Sequence, residues 1–174
     1  IYFTRKAFAA LKDDGSIFAW GGDDYEDTDA PTDKSYVKIF STWRAFAALK
    51  DDGSITSWGA SGFASNAPTD KGYVSIFSTR EAFAALRADG SISSWSYTNT
   101  GTYAPNPPTD KGYVTIFANG GSFAAMKEDG SVTTWGYSNS GGSTAISGSY
   151  LKIFPSVSAF AAIPRETTYA YGPL

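Results

Sequence analysis

The chain has 174 residues, enough for one domain with a core of its own. It contains neither cysteine nor histidine, which excludes disulfide bridges, zinc–thiolate sites and imidazole-based catalysis. Its 14 basic and 17 acidic side chains give a net charge of −3 without a basic run, and this argues against nucleic-acid binding. No apolar stretch approaches the roughly 20 residues of a membrane span.

One short apolar phrase occurs five times and sets the organisation of the chain. Its copies lie at residues 7–11, 45–49, 82–86, 122–126 and 159–163. The phenylalanines within them are 38, 37, 40 and 37 residues apart. A fixed period of this size is typical of repeat proteins. The sequence therefore predicts five copies of one structural unit.

Each unit contains three predicted strands, named a, b and c in chain order. Strand a starts at Tyr36, Tyr73, Tyr113 and Tyr150, and residues 1–4 match its second half. Strand b is the apolar phrase. An Asp-Gly pair then leads into strand c, which carries Trp20, Trp58, Trp95 or Trp135, with Tyr171 at that position in a degenerate last copy. Asp-Gly between two β-prone runs is a strong hairpin signal, because glycine accepts a positive φ.

The faces of these strands predict how the units pack. Alternation in strand a places Val37 and Ile39 on one face and Tyr36 and Phe40 on the other. Strand b is apolar at every position, which indicates a central strand covered on both faces. The four recurring tryptophans are predicted to be core residues, since large aromatic side chains are mostly buried.

A small sheet that is apolar on both faces has to stack on copies of itself. We therefore predict an all-β, β-propeller-like protein of about five three-stranded blades, closed into a compact ring. An open arc or a solenoid of the same repeats is the alternative. The units are approximately 1–21, 36–59, 73–96, 113–136 and 150–172, and together they form one repeat domain, 1–174. Three linkers end in Pro-Thr-Asp-Lys, at 31–34, 68–71 and 108–111, which predicts a rigid lead-in to strand a.

Residues 73–95, with their isoleucine, small-residue turn, Ala-Leu strand, Asp-Gly and tryptophan, resemble the repeat of the regulator of chromosome condensation (RCC1) family. The resemblance covers nearly the whole chain and implies a propeller blade. The family's histidine falls at Ala7, Ala45, Ala82, Ser122 and Ala159, so the nucleotide-exchange function of the founding member is not expected here. The repeats are also similar to AFAALKDDGSITxWG arrays in very large proteins of marine bacteria and unicellular algae. That likeness implies an extracellular, organelle-lumenal or assembly-associated setting.

Few residues suit chemistry. Paired carboxylates can hydrolyse glycosides, but Asp13, Asp14, Asp51 and Asp52 occupy hairpin turns, so we do not expect an enzyme. The first linker contains the densest acidic cluster, Asp23, Asp24, Glu26, Asp27 and Asp29. Closely spaced carboxylates are the ligands that Ca²⁺ prefers, so this cluster is a candidate calcium site, and no other cofactor is expected.

Aromatic side chains outside the repeat core are the candidate contact residues. They are Tyr25, Phe63, Tyr97, Tyr103 and Tyr137 in the linkers, and Trp43 in an a–b turn. Loops on a rigid scaffold often carry binding functions. We expect a non-catalytic scaffold or protein-interaction module within a larger protein or assembly, with protein partners. The alternative is a carbohydrate-binding, lectin-like module that uses the linker aromatics to bind a glycan.

Overall fold

Five antiparallel sheets follow one another along the chain. The computed structural model describes residues 1–21, 29–60, 66–96, 106–143 and 146–165. Sheet 1 contains β1 (Tyr2–Phe3), β2 (Ala7–Leu11) and β3 (Ile17–Gly21); sheet 2 contains β4 (Tyr36–Ser41), β5 (Ala45–Lys50) and β6 (Ile55–Gly59); sheet 3 contains β7 (Tyr73–Ser78), β8 (Ala82–Arg87) and β9 (Ile92–Ser96); sheet 4 contains β10 (Tyr113–Ala118), β11 (Ser122–Lys127) and β12 (Val132–Gly136); sheet 5 contains β13 (Tyr150–Pro155) and β14 (Phe160–Pro164). The predicted all-β fold of repeated three-stranded meanders is confirmed. The last predicted strand c lies outside the described residues.

The Asp-Gly turns close the b–c hairpins as predicted. In sheet 2, the Oδ1 atom of Asp52 accepts hydrogen bonds from the backbone N–H and the hydroxyl of Ser54, at 2.9 and 2.6 Å. Gly53 has a φ of 77°, and a Cβ there would lie 2.7 Å from the backbone nitrogen of Gly72. Glycine is required both by its backbone conformation and by the close approach of the next sheet.

The sheets stack face to face in chain order. We call the face toward the next sheet the forward face, and the face toward the preceding sheet the backward face. Between sheets 2 and 3, the forward face contributes Ala45, Ala47 and Leu49, and the backward face contributes Ile76, Phe83 and Trp95. The equivalent positions form the other three sheet–sheet cores. The central strands β5, β8 and β11 are therefore covered on both faces, as their apolar sequences predicted.

Each recurring tryptophan stacks on the phenylalanine of the neighbouring strand b. Phe83 and Trp95 are cross-strand partners with ring centroids 5.2 Å apart. Trp58, Trp95 and Trp135 are buried, which confirms their prediction as core residues. For Trp20 that prediction is wrong, because it is 36% exposed on the backward face of sheet 1.

Strand a departs from simple alternation. The register between β4 and β5 pairs Tyr36 with Lys50 and then Lys38 with Leu49, so Val37 bulges out of the pairing. An extra residue in one strand of a pair rotates the side chains that follow it. Tyr36 and Ile39 consequently share the backward face, while Val37 is 54% exposed. The prediction that Val37 and Ile39 share a face was wrong, and the same bulge recurs in β7, β10 and β13.

The first strands of successive sheets adjoin one another, so strand a is the inner strand of the stack. At the two ends of the stack, the described outer faces are uncovered. Phe8 on sheet 1 is 43% exposed, whereas the equivalent Phe46 is 1% exposed. On sheet 5, Ile163 is 47% exposed and the equivalent Leu49 is 5% exposed. In the described residues, sheets 1 and 5 therefore do not pack on each other, and the five sheets form an open arc.

Candidate functional site

The turns between strands a and b lie side by side along one edge of the arc. A backbone N–H of each turn donates to the carbonyl of the equivalent residue in the next turn. These bonds run from Arg5 to Trp43 (3.1 Å), Trp43 to Arg80 (2.9 Å), Arg80 to Gly120 (3.3 Å) and Gly120 to Val157 (3.0 Å). We call these five turns the turn belt. The hydrogen bonds explain why neighbouring turns keep a fixed spacing, since each buried peptide group needs a partner.

A threonine holds the conformation of each of the first three turns. The Oγ1 atom of Thr79 accepts hydrogen bonds from the backbone N–H groups of Glu81 and Ala82, at 3.3 and 3.0 Å. Thr4 and Thr42 make the same contacts in sheets 1 and 2. Such local side-chain bonds preorganise a turn. The belt is therefore a rigid platform for the side chains that it carries.

Trp43 receives a guanidinium group from the turn on either side of it. The Cζ atom of Arg5 lies 3.9 Å from the Trp43 ring centroid, and that of Arg80 lies 4.8 Å away. Cations over an indole face are attracted by its quadrupole. The sequence singled out Trp43 but not its two arginines, since three different repeats contribute the three side chains.

The fourth turn is built differently and anchors a neighbouring loop. Asn119 replaces the threonine, and its Oδ1 atom accepts hydrogen bonds from Gly121 and Ser122 N–H at 2.9 and 2.8 Å. Its Nδ2 group donates to the carbonyl of Ser140 at 2.8 Å. Ser140 ends a short 3-10 turn, Ser138–Ser140, that follows strand c. Asn119 therefore fixes both its own turn and this loop.

Two glycines make room for that arrangement. A Cβ at Gly121 would lie 3.0 Å from the Oγ atom of Ser140 and 3.2 Å from the Cβ of Tyr137. A Cβ at Gly120 would lie 2.6 Å from the Val157 carbonyl oxygen. The other belt turns carry larger side chains at these two positions, whereas the paired glycines let residues 137–142 pack on the fourth turn. Sequence reasoning missed this site, although the Asn-Gly-Gly break in the repeat is its visible signal.

A cavity of about 300 Å³ lies where these features meet. Its wall includes Trp43, Arg80, Glu81, Tyr137 and Val157, and the paired glycines lie beneath it. Tyr137 is 38% exposed and Val157 is 68% exposed. The cavity thus combines aromatic and aliphatic surface with one cation and one carboxylate, a composition that suits recognition of an amphipathic group.

The opposite edge of the arc carries a series of ion pairs between sheets. The lysine of each Pro-Thr-Asp-Lys segment contacts the aspartate of the preceding sheet's Asp-Gly turn: Lys34 to Asp14 (2.6 Å), Lys71 to Asp52 (2.5 Å) and Lys111 to Asp89 (2.6 Å). The lysine and Ser54 lower the pKa of Asp52 below its ordinary 3.8 by bonding to its ionised form. The segment is a lead-in to strand a, as predicted, and it also ties each sheet to the one before it.

The aspartate of the same segment supports the inner strand. Asp33 Oδ1 accepts a hydrogen bond from the Tyr36 hydroxyl at 2.8 Å, and Oδ2 pairs with Lys50. The Thr56 hydroxyl lies 2.9 Å from the Tyr36 hydroxyl oxygen and shares a hydrogen bond with it. Burial raises the pKa of Tyr36 to about 12. Because these groups are all engaged with one another, we assign this edge to stability.

The structure brings two of the six predicted contact residues together, since Trp43 and Tyr137 line the same cavity. Tyr25, Phe63, Tyr97 and Tyr103 lie outside the described residues. Of the acidic cluster, Asp29 is described and exposed, while Asp23, Asp24, Glu26 and Asp27 lie outside the described residues. Within the described ranges, no group of three or more acidic side chains is placed to hold a metal ion.

The part of the chain that the structure describes contains no helix with the length and apolar character needed to cross a membrane.

No protein-family model matches the sequence. A search of curated proteins also finds no match.

Solved structures do match the fold. The ectodomain of the receptor kinase CR4 from Physcomitrella patens has a TM-score of 0.62 at 17% identity, over 88% of this chain and 45% of that one. The CRINKLY WD40 ectodomain of the Arabidopsis thaliana receptor kinase ACR4 has a TM-score of 0.62 at 16% identity, over 93% and 60%. Prp20p from Saccharomyces cerevisiae, a protein studied for its binding to Gsp1p and histones, has a TM-score of 0.56 at 14% identity, over 95% and 49%.

The chain spans about half the length of these structures, from 45% to 60%. At such low identity the likeness concerns the fold. Yeast Prp20, which is yeast RCC1, is among the matches, and so is human WBSCR16 with a TM-score of 0.58. The chain therefore has an RCC1-like β-propeller fold, built from repeated three-stranded antiparallel sheets.

Proposed function

We propose that this chain is a non-catalytic protein-interaction module of a larger assembly and that it binds its partner at the turn belt. The observation that carries the proposal is the cavity between Trp43 and Tyr137. It is the place where the regular repeat is broken by Asn119, Gly120 and Gly121 to leave an accessible recess. A repeat built only for stacking does not require that break.

The side chains around the cavity suit a protein partner. Tryptophan, tyrosine and arginine are the residue types that dominate binding energy at protein interfaces. Trp43 is held by Arg5 and Arg80, and the backbone of Tyr137 is fixed by hydrogen bonds to Gly121 and Ser140. Preorganised contact residues lose little conformational entropy on binding. We infer that an apolar side chain of the partner enters the cavity while Arg80 and Glu81 contact polar groups around it.

Site-specific photo-crosslinking tests this proposal in the assembly from which the protein is purified. A photoreactive phenylalanine analogue at Tyr137 is expected to yield a crosslinked product with a distinct partner. The matched control is the same analogue at Val74, which is also exposed but lies on the inner strand. Equal crosslinking at both positions, or none at Tyr137, would contradict the assignment.

Asn119→Thr provides a second measurement that does not alter the cavity side chains. Threonine holds the equivalent turn at Thr42 and Thr79, so the turn should remain formed. The bond to Ser140 is lost, so the loop that carries Tyr137 loses one of its anchors. We expect faster amide hydrogen exchange in residues 137–142 together with weaker partner binding. Faster exchange without weaker binding would show that the fixed position of this loop is not needed for partner binding.

Carbohydrate binding remains the second candidate, and one observation favours it. Tyr137 is partly exposed and is followed in the chain by the polar residues Ser138, Asn139 and Ser140, of which Ser140 also lines the cavity. Aromatic surface next to hydrogen-bonding groups also suits a sugar ring. A glycan array with the wild-type chain and Tyr137→Ala distinguishes the two. Binding of a glycan class that disappears in the variant would favour the lectin-like function.

A further inference from the structure

Sheet 1 presents an exposed aromatic face that differs from the inner backward faces. Phe3 and Phe18 are 67% and 56% exposed, and Phe18 stacks on Trp20 with ring centroids 5.7 Å apart. At the position of Phe3, sheets 2 to 4 have Ser41, Ser78 and Ala118; at the position of Phe18, they have Thr56, Ser93 and Thr133. The backward face of sheet 1 is thus more apolar at these positions than the buried backward faces of sheets 2 to 4, which indicates a surface that binds another molecule.

Sheet 5 exposes the complementary face. Phe154 and Ile163 are 43% and 47% exposed on its forward side, together with Ala161. In sheet 2, the same positions are Phe40, Leu49 and Ala47, and they pack on the backward face of sheet 3. The described part of sheet 5 therefore carries the apolar residues that receive a backward face everywhere else in the arc.

The turn belt has complementary ends as well. Every inner belt residue both donates a backbone hydrogen bond to the next turn and accepts one from the preceding turn. Within the described residues, the N–H of Val157 has no acceptor and the carbonyl of Arg5 has no donor. Val157 lies in the last turn of the belt, and Arg5 lies in the first. If the last turn of one belt adjoined the first turn of another, one more hydrogen bond of the same series would form.

We propose that the backward face of sheet 1 binds the forward face of sheet 5 on a second copy of this chain. The new interface repeats the packing between inner sheets, with the Val157 N–H of one copy donating to the Arg5 carbonyl of the other. The argument for a second copy is continuity, because the four existing sheet–sheet interfaces pair these same two faces in register. Such an interface is heterologous and joins copies head to tail.

Sedimentation velocity of the 174-residue chain over a wide concentration range tests the association. The monomer has a mass of 18.5 kDa. We expect the weight-average mass to rise above this value with concentration, as mass action requires. A mass of 18.5 kDa at every concentration would overturn the proposal and leave adjoining repeats or another protein as the occupant.

The double variant Phe3→Ser with Phe18→Thr removes the extra aromatic surface. Both new residues already occupy these positions in sheet 2, at Ser41 and Thr56, so the sheet should still fold. We expect the dissociation constant to rise about tenfold or more, since aromatic side chains dominate such interfaces. Val74→Ser, on the exposed inner strand, is the control and should leave association unchanged. Equal association of the double variant and the wild type would overturn the proposal.

Mixing two variants tests the head-to-tail geometry. Ile163→Glu places a charge on the forward face of sheet 5 and should also weaken self-association about tenfold or more. When this variant is mixed with the separate Phe3→Ser, Phe18→Thr variant, the two should form a one-to-one pair. The Ile163→Glu chain keeps an intact sheet 1, and the double variant keeps an intact sheet 5. If sheet 1 instead binds sheet 1, Ile163→Glu will associate normally and mixing will give no new pair. That result would overturn the proposed interface while leaving the partner site at Tyr137 untouched.

Discussion

The indole N–H of Trp95 donates a hydrogen bond to the hydroxyl oxygen of Ser57 on the preceding sheet, at 3.2 Å. The indole nitrogen of Trp58 occupies the equivalent place one sheet earlier and is buried without a partner. The residue that would accept its hydrogen bond is Ala19. A single missing hydroxyl therefore distinguishes the interface between sheets 1 and 2 from the one that follows it.

Ala19→Ser should stabilise the protein by about 1 kcal/mol, because a buried donor gains an acceptor. The geometry is already realised between Trp135 and Ser94 at 3.0 Å. The matched variant, Ser57→Ala, should cost roughly 1–3 kcal/mol by leaving the Trp95 indole unsatisfied. Urea unfolding of both variants measures the free energies. If the two substitutions shift stability in the same direction, the hydrogen bond is not what determines the difference.

Phe83→Ala should cost roughly 3–5 kcal/mol, the usual range for truncating a buried phenylalanine. Phe83 is 0% exposed between sheets 2 and 3. Phe8 is the internal control, since it has the same place in the repeat but is 43% exposed. Phe8→Ala should cost clearly less in the monomer. A loss well under about 1 kcal/mol for Phe83→Ala would contradict burial of the central strand.

Gly90→Ala and Gly112→Ala separate backbone strain from close approach. Both glycines have positive φ, 77° and 88°, and an alanine there costs about 1–2 kcal/mol. At Gly90 the added Cβ would also lie 2.5 Å from the backbone nitrogen of Gly112, whereas at Gly112 it would meet nothing within 4 Å. Gly90→Ala should therefore be the more destabilising in thermal unfolding. Equal losses would show that the adjoining sheet can move away.

Acid should weaken the ties between sheets. The pKa of Asp52 is below its ordinary 3.8 in the folded protein, because its carboxylate bonds to Lys71 and Ser54. A lowered folded pKa contributes stability above the unfolded pKa, and this stability is lost as pH falls through the folded value. The free energy of unfolding, measured between pH 6 and 2, should decrease below about pH 4. Added salt should make this decrease smaller, because it screens the ion pairs.

Asp52→Asn should make that acid-induced loss smaller, because the substituted side chain no longer titrates. Asp51→Asn is the control, since it removes the same charge from the same turn without breaking the ion pair to Lys71. If Asp52→Asn loses as much stability in acid as the wild type, other carboxylates determine the pH dependence.

Most of the repeat unit could be predicted from local sequence. Asp-Gly turns, alternating apolar runs and a fixed period act over a few residues, and they correctly indicated strands a, b and c. The bulge at Val37 could not be predicted in this way, since two-residue alternation assumes an unbroken register with the partner strand. Trp43 and Tyr137 were both chosen as contact residues, but the sequence did not indicate that they share a cavity. They come from different repeats, and their proximity depends on how the sheets stack.

By itself, the sequence determined the repeated hairpin, the central apolar strand and the types of residue that pack between neighbouring sheets. These follow from turn chemistry and from hydrophobic burial, which short segments express without reference to their neighbours. Only the tertiary structure decided which copies of a residue are buried and which partner each polar group finds. Trp20 and Trp95 illustrate the difference. The two have equivalent sequence surroundings, but a preceding sheet covers only Trp95.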